Sequence, residues 1–278
     1  MTAAALAMPK LGLGTWLRHD EDGYRAILTG IELGYRHIDT AQTYGTEAHV
    51  GRALRASGLR RDELFITTKV GDVNLAKRDF LPSVEQSLTR IGVDAVDLLL
   101  IHWPSPKDAV PFESYIGDLA DAKARGMTRA IGVSNFPCAL VARAAAILGP
   151  NQMTTNQVEV HPYLQNHPVR TCCAAHGMIV TAYMPLAGGR VMTDPIIGRI
   201  ATKYGESPAT VTLAWLLARG MAAIPASGQR DHMAANLRAL DLRLDEDDLA
   251  AIDACDRGER LIDPAKSPAW DPTEAAHG

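Results

Sequence analysis

Residues 35–51 read YRHIDTAQTYGTEAHVG, and this stretch decides how the rest of the chain is interpreted. Its first part, with Ile38 between polar neighbours, predicts a short strand that ends at Asp39, and the part from Thr46 onward predicts a helix. Tyr44 falls in the loop between them. Catalytic groups of α/β folds lie at such positions, where a strand has ended and a helix is about to begin. The stretch therefore predicts an α/β fold with a carboxylate and a phenol at its functional edge.

Two further polar side chains end the next two apolar runs. Lys69 closes the run LFITTK and His102 closes the run DLLLIH. A phenol donates a proton readily only if its pKa falls from about 10, and a cation within about 4–6 Å favours the phenolate. We therefore expect Lys69 to lower the pKa of Tyr44, Asp39 to pair with Lys69, and His102 to orient a carbonyl oxygen. Taken singly, each residue fits a structural ion pair or a loop aromatic as well.

The spacing of the apolar runs predicts the architecture. Eight of them recur at intervals of roughly 25–35 residues, with helical segments predicted between most of them, over 22–33, 46–56, 79–91, 112–125 and 137–148. Runs that are apolar throughout suit strands buried on both faces of a parallel sheet. A doubly wound sheet would also alternate in this way, but polar residues follow nearly every run, which favours a single (β/α)8 TIM barrel that gathers all strand ends at one mouth. We expect residues 1–278 to form one domain, with an irregular tail after residue 258.

Composition and charge exclude several classes of protein. A formal net charge of −4 leaves no general basic surface, so no nucleic-acid partner is expected. No stretch reaches membrane-spanning length, and the N-terminal residues lack the pattern of an export leader, which makes a reducing cytoplasm the expected location. The four cysteines show no metal or redox spacing, so buried free thiols are predicted at Cys138, Cys172, Cys173 and Cys255.

The set Asp39, Tyr44, Lys69 and His102, within a fragment as long as GYRHIDTAQTYG, resembles the catalytic tetrad of the aldo-keto reductases. The resemblance extends from the first strand to the C-terminal tail, and it implies hydride transfer from a nicotinamide cofactor to a carbonyl with Tyr44 as proton donor. It also implies a monomer with no bound metal, whose tail folds over the barrel mouth.

The same resemblance assigns the nicotinamide end of the cofactor site. Ser134, Asn135 and Gln157 match the residues that hold the carboxamide, Tyr183 matches the aromatic on which the ring stacks, and the loop MPLAGG with Leu186 matches the segment along the pyrophosphate. The run GLGTWL lacks the third glycine of a dinucleotide fingerprint and is interpreted as a turn.

The adenosine end departs from the family pattern. The run IPASGQRDHMAAN has Ala226 where the family usually has Lys and His232 where it usually has Arg, while Ser227 and Asn236 are kept. A 2′-phosphate is a dianion that requires Arg or Lys. Arg230 is therefore the expected contact and NADPH the expected cofactor, with NADH use left open.

The substrate end is predicted from aromatic residues near the mouth. Trp16, Trp103 and Trp270 fall on segments that should line the opening, and Trp16 and Trp103 are expected to contact the substrate together with Tyr44 and His102. The segments IHWPSP, PYLQN, YMPLA and RLIDP resemble the 2,5-diketo-D-gluconate reductase B-like branch of the family. That resemblance implies small carbonyl substrates: keto-sugar acids such as 2,5-diketo-gluconate, methylglyoxal and simple aldehydes.

Two other functions stay open at this stage. His37, His102 and His161 with Asp39 could ligate zinc in a metal-dependent barrel hydrolase, although the Tyr–Lys pair would then have no role. Some relatives of the fold are regulatory subunits that bind the cofactor and turn over poorly.

Overall fold

The computed structural model describes residues 7–272. Eight parallel strands form one sheet in which every strand pairs with the next along the chain. They are β1 (Leu13–Gly14), β2 (His37–Asp39), β3 (Phe65–Val70), β4 (Val96–Ile101), β5 (Thr128–Ser134), β6 (Met153–Glu159), β7 (Ile179–Tyr183) and β8 (Ala222–Ala223). A doubly wound sheet would instead reverse its strand order at one point.

The first and last strands meet and close the sheet. Leu11 forms a parallel bridge with Ala223. The amide of Gly12 donates to Ala223 O at 2.9 Å, and the amide of Ala223 donates to Lys10 O at 2.8 Å. The fold is therefore a (β/α)8 barrel, as predicted from the repeated apolar runs.

Ten α-helices surround the strands in the described part of the chain. They are α1 (Glu21–Leu33), α2 (Glu47–Ser57), α3 (Lys77–Ile91), α4 (Phe112–Ala124), α5 (Cys138–Leu148), α6 (His167–Ala175), α7 (Pro195–Tyr204), α8 (Pro208–Ala218), α9 (Arg230–Leu237) and α10 (Glu246–Asp253). The five helices predicted above agree with α1 to α5 within two residues at each end.

Local chemistry explains where several helices begin. The carboxylate of Asp20 accepts from Gly23 N at the start of α1, and Asp245 accepts from Asp248 N at the start of α10. Ser207 accepts from Thr210 N just before Pro208, the first residue of α8. Such caps satisfy amides that have no partner inside the helix.

The strands are buried on both faces because the helices cover the outside of the barrel. Every residue of β3 and β4 is buried. Their apolar side chains lose contact with water, which contributes about 25 cal/mol per Å² of apolar surface. The carboxyl ends of all eight strands meet at one mouth, and this position fixes the site described below.

The tail after α10 has no regular structure and runs to the mouth. The amides of Leu261 and Ile262 donate to the Glu159 carboxylate at 2.7 and 2.9 Å, which anchors the tail to the end of β6. The ring of Trp270 packs edge-on against Trp103 with centroids 6.1 Å apart. The prediction of an irregular tail over the mouth agrees with these contacts.

The prediction of free thiols is wrong for two of the four cysteines. Cys138, at the start of α5, and Cys172, in α6, form a disulfide, whereas Cys173 and Cys255 are free and buried. The two helices are neighbours around the barrel and bring together residues separated by 34 positions, a proximity that cysteine spacing does not reveal.

No helix in residues 7–272 is both long enough and apolar enough to span a membrane. Residues 1–6, on which the prediction about an export leader partly depends, lie outside the described residues.

Candidate active site

Lys69 and Asp39 form a buried ion pair beneath the barrel mouth. Asp39 ends β2 and Lys69 lies on the neighbouring strand β3, so the pairing of these two strands brings the side chains together. The ammonium of Lys69 donates to Asp39 Oδ1 and, at 2.9 Å, to Thr40 O. Its side chain is 0% exposed and that of Asp39 is 1% exposed. Charges buried to this degree persist only when they are paired.

Tyr44 lies directly above this pair. The short helix Gln42–Tyr44 follows β2 and turns the phenol toward Lys69, whose Nζ is 3.5 Å from the Tyr44 hydroxyl. The same ammonium is 4.8 Å from the centroid of the Tyr44 ring. The separation agrees with the predicted range, so the two residues interact directly.

The expected effect on the phenol is nevertheless wrong in direction. Burial raises the pKa of Tyr44 above its ordinary value near 10, and the Asp39 carboxylate raises it further. The expected decrease depended on the charge of Lys69 alone, whereas in the structure that charge is paired with Asp39 and the phenol is shielded from water. Tyr44 therefore holds its proton throughout the neutral pH range.

His102, which follows β4, faces the same space. Its ring lies 5.4 Å from that of Tyr44 in an edge-to-face arrangement, and its Nδ1 is 3.2 Å from Thr43 Oγ1. Burial lowers the pKa of His102 well below 6.5, and the ammonium groups of Lys69 and Lys266 lower it further. The imidazole is therefore neutral at pH 7, with one ring nitrogen engaged by Thr43.

A cavity of about 720 Å³ opens above these residues and extends across the strand ends. Its size falls within the range of small-molecule and cofactor sites. Twelve of the residues singled out from the sequence line it: Trp16, Asp39, Tyr44, His102, Trp103, Ser134, Asn135, Gln157, Tyr183, Leu186, Ser227 and Asn236. Lys69 lies beneath the floor, in contact with Tyr44 and Asp39.

The polar residues predicted at the nicotinamide end form one hydrogen-bonded network. Ser134 Oγ donates to Gln157 O at 2.8 Å, and Gln157 Nε2 donates to Asp39 Oδ2 at 2.8 Å. Asn135 Nδ2 donates to His102 O at 3.0 Å, while Tyr183 OH donates to Asn135 Oδ1 at 2.8 Å. Asn135 Nδ2 also donates to Ser134 Oγ at 3.1 Å, so the network joins the ends of β4, β5, β6 and β7 to Asp39 and fixes these side chains in place before anything binds.

The loop after β7 borders the middle of the cavity. Leu186 lines it, together with Gly188 and Gly189. The two glycines have φ of 64° and 93°, a left-handed conformation that side chains disfavour. A Cβ built on Gly189 would meet no atom within 4 Å, so the backbone here is open to a ligand.

The far end of the cavity differs from the sequence expectation in one respect. Ser227, His232 and Asn236 line it, but Arg230 does not. The guanidinium of Arg230 lies 3.6 Å from the carboxylate of Glu32 in α1, and its side chain is 60% exposed. The structure therefore places Arg230 on the outer surface of α9, where Glu32 is its partner.

The opposite end of the cavity is aromatic. Trp16 and Trp103 line it as predicted, while Trp270 lies behind Trp103. Two tail residues that sequence reasoning did not single out, Ile262 and Lys266, also line this end. Lys266 Nζ donates to Asp72 Oδ1 at 2.6 Å, so a cation lies beside the tryptophans.

Thr43 was not predicted as a site residue, although it is adjacent to Tyr44 in residues 35–51. It lines the cavity and contacts His102. Only the three-dimensional pairing of this loop with the end of β4 reveals that contact. Lys266 could have been suspected, because it is a cation in a tail predicted to cover the mouth.

The ligands required by a metal-dependent hydrolase do not converge. His37 Nε2 is 2.9 Å from Thr67 Oγ1, and His161 Nε2 is 3.0 Å from Glu159 Oε1. Within residues 7–272 no group of three or more His, Cys, Asp or Glu side chains could hold a metal ion. The structure gives the hydrolase alternative no support.

Comparisons with known proteins agree with this geometry. A model of the Aldo/keto reductase family matches residues 10–257. Methylglyoxal reductase DkgB of Salmonella typhi is 46% identical over 267 residues, which cover 96% of this chain and 100% of that protein. A solved structure provisionally named 2,5-diketo-D-gluconic acid reductase B is similar with a TM-score of 0.91 and 35% identity, over 96% of this chain and 95% of that one. An aldo-keto reductase of Bombyx mori, solved in complex with NADP, is similar with a TM-score of 0.86 and 31% identity, over 95% of this chain and 94% of that one.

Proposed function

This chain belongs to the aldo/keto reductase family and is an oxidoreductase that uses NADP(H), and from that premise we propose that it reduces small dicarbonyl compounds and keto acids to alcohols, with Tyr44 as the proton donor. The observation that carries the proposal is the position of the Tyr44 hydroxyl, 3.5 Å from Lys69 Nζ and beside His102 at the floor of the cavity.

Each residue of the tetrad has a role that its environment supports. Tyr44 keeps its proton because burial raises the pKa of the phenol. An alkoxide is a much stronger base than a phenolate, so the phenol can still protonate the oxygen that develops negative charge. The buried ammonium of Lys69 stabilises the phenolate that remains, and Asp39 holds Lys69 in place.

His102 positions the substrate oxygen in this scheme. The neutral imidazole has Nδ1 beside the hydroxyl of Thr43. If Thr43 donates to Nδ1, the ring proton is on Nε2 and can be donated to a carbonyl oxygen. Two donors, His102 and Tyr44, would then polarise one carbonyl group.

The residues around the cavity fit a nicotinamide dinucleotide. When bound, the reduced cofactor supplies a hydride to the carbonyl carbon. Ser134, Asn135 and Gln157 form a rigid polar edge at the nicotinamide end, with Tyr183 beside them as an aromatic surface. The open backbone of Gly188 and Gly189, next to Leu186, leaves room for a pyrophosphate to approach. Ser227 and Asn236 border the adenosine end.

The substrate class follows from the relatives and from the aromatic end of the cavity. Relatives of this chain are named methylglyoxal reductase, and one similar structure is provisionally named for 2,5-diketo-D-gluconic acid. Trp16 and Trp103 form apolar walls. The Lys266 ammonium lines the same end, and it can attract a substrate carboxylate in addition to its partner Asp72. We propose both methylglyoxal and keto-sugar acids as substrates, together with simple aldehydes.

Three further expectations remain proposals. We propose that residues 1–278 form a single domain, that the enzyme acts as a monomer and that it works in the cytoplasm. Light scattering during gel filtration tests the monomer proposal, because the measured mass of a dimer would be twice that of the 29.9 kDa chain.

Steady-state kinetics test the proposed function directly. The purified enzyme should oxidise NADPH, followed by absorbance, when methylglyoxal or 2,5-diketo-gluconate is added. The rate should saturate with each substrate, and NADH should serve less well. An enzyme that binds NADPH but reduces neither substrate would refute the substrate class and would favour a regulatory subunit with poor turnover.

A further inference from the structure

The two positions where the family usually has the cations of the 2′-phosphate site hold no permanent cation in this chain. Ala226 and His232 replace the usual Lys and Arg, and alanine is uncharged while imidazole is not a permanent cation. Arg230 lies outside the cavity and pairs with Glu32 at 3.6 Å. A phosphate dianion nevertheless requires a strong cationic donor.

Arg18, in the loop between β1 and α1, lies next to the same end of the cavity, although neither Arg18 nor Gly228 is one of its lining residues. A Cβ built on Gly228 would lie 3.6 Å from both Cζ and Nη1 of Arg18 and 3.9 Å from Nη2. The guanidinium therefore lies beside Gly228, the residue that follows Ser227, and Ser227 itself lines the cavity. The contact joins two loops that are 210 residues apart in sequence.

The guanidinium of Arg18 lacks an anionic partner within the described residues. No carboxylate of residues 7–272 lies within 4.0 Å of its nitrogens, in contrast to Arg230. Its Nε is buried and has no hydrogen-bond acceptor. A buried donor without a partner costs about 1–3 kcal/mol, and an acceptor supplied by a ligand would remove that cost.

The backbone holds Arg18 in this place. The amide of Arg18 donates to Thr15 O at 3.2 Å, and Leu17 adopts a φ of 61°, which is unusual for a residue other than glycine. A Cβ built on Gly23 would lie only 2.3 Å from Arg18 O, so α1 packs tightly against this carbonyl. Such local strain persists where the surrounding structure requires it and is common at ligand clamps.

We propose that Arg18 is the specificity-determining residue that binds the 2′-phosphate and makes this enzyme prefer NADP(H) to NAD(H). The planar guanidinium can donate two hydrogen bonds to a phosphate, and Ser227 can add a third from its hydroxyl. The inference rests on the proposed function, in which the dinucleotide extends from Tyr44 to the Ser227 end of the cavity.

Calorimetric titration with cofactor fragments tests this without measuring turnover. Adenosine 2′,5′-bisphosphate and adenosine 5′-monophosphate differ only in the 2′-phosphate, so the ratio of their affinities isolates its recognition. The proteins to compare are the wild type, Arg18→Met and, as the matched control, Arg230→Met.

We expect Arg18→Met to lower the affinity for the bisphosphate by about 10- to 100-fold, which is the range for loss of a charge-assisted bidentate contact. The affinity for the monophosphate should stay within about twofold of the wild type. Arg230→Met should keep most of the wild-type preference. The assignment would be overturned if Arg18→Met left the ratio of the two affinities unchanged or lowered both affinities equally. A loss of the preference only in Arg230→Met would assign 2′-phosphate binding to Arg230 instead. Failure of the wild type to bind either nucleotide would instead refute the proposed function as well.

Discussion

Replacing Lys69 by methionine should destabilise the folded protein strongly, because it would leave a buried carboxylate without its cation. Lys69 is fully buried and bonded to Asp39, to Thr40 O at 2.9 Å and to the Tyr44 hydroxyl at 3.5 Å. In Lys69→Met, the Asp39 carboxylate retains, among residues 7–272, only the side-chain hydrogen bond from Gln157 Nε2 at 2.8 Å. Breaking a buried pair in this way costs about 3–5 kcal/mol.

Urea denaturation followed by circular dichroism measures this cost as a shift of the midpoint at constant slope. Lys123→Met is the matched control, since Lys123 is partly exposed and its only side-chain hydrogen bond in the described residues is to Gln152 Oε1 at 3.4 Å. This substitution should change the free energy of unfolding by less than about 0.5 kcal/mol. The double variant Asp39→Asn/Lys69→Met removes both charges, so its free energy of unfolding should be at least about 1 kcal/mol higher than that of Lys69→Met. If the free energy of unfolding of Lys69→Met lay within about 1 kcal/mol of the wild-type value, the predicted cost of leaving Asp39 buried and unpaired would be refuted.

Three other predictions concern His102, Lys266 and the disulfide. Because burial lowers the pKa of His102 well below 6.5, the unfolded chain gains a proton below about pH 6.5 that the folded chain does not. The free energy of unfolding should therefore fall by up to about 1.4 kcal/mol between pH 7.5 and 5.5, and His102→Gln should remove that part of the loss in denaturation curves. Lys266→Met should raise KM for 2,5-diketo-gluconate about tenfold and leave KM for methylglyoxal nearly unchanged, since only the former carries a carboxylate; equal effects on both would contradict a role in carboxylate binding. Loss of the Cys138–Cys172 disulfide, which closes a loop of 34 residues, should lower the free energy of unfolding by about 2–4 kcal/mol. The substitution Cys138→Ser or treatment with dithiothreitol produces this loss. Four alkylatable thiols in the unfolded, unreduced protein would show that the disulfide is absent.

The parts of the fold that the sequence predicted are those set by local pattern. The apolar runs and the helical spacing between them specify strands and helices independently of distant contacts, and strand ends in a barrel converge on one mouth. For that reason the positions of Asp39, Lys69 and His102 at neighbouring strand ends, and of Tyr44 above them, agree with expectation.

The parts that the sequence did not predict depend on contacts between distant segments. The pairing of Arg230 with Glu32 and the contact of Arg18 with Gly228 join residues about two hundred positions apart, and no periodicity encodes them. The raised pKa of Tyr44 has a different origin, because desolvation is a property of the whole enclosure. Spacing identified which groups meet, but not how deeply they are buried.

The most direct test of the account is the turnover of Tyr44→Phe with methylglyoxal and NADPH, measured alongside NADPH binding by quenching of tryptophan fluorescence. Phenylalanine fills the same space but has no proton to donate, so kcat should fall by about 10²- to 10⁴-fold. The dissociation constant for NADPH should stay within about twofold of the wild type, because the hydroxyl acts on the substrate oxygen. A kcat within about tenfold of the wild type, with NADPH binding intact, would contradict the assignment of Tyr44 as the proton donor.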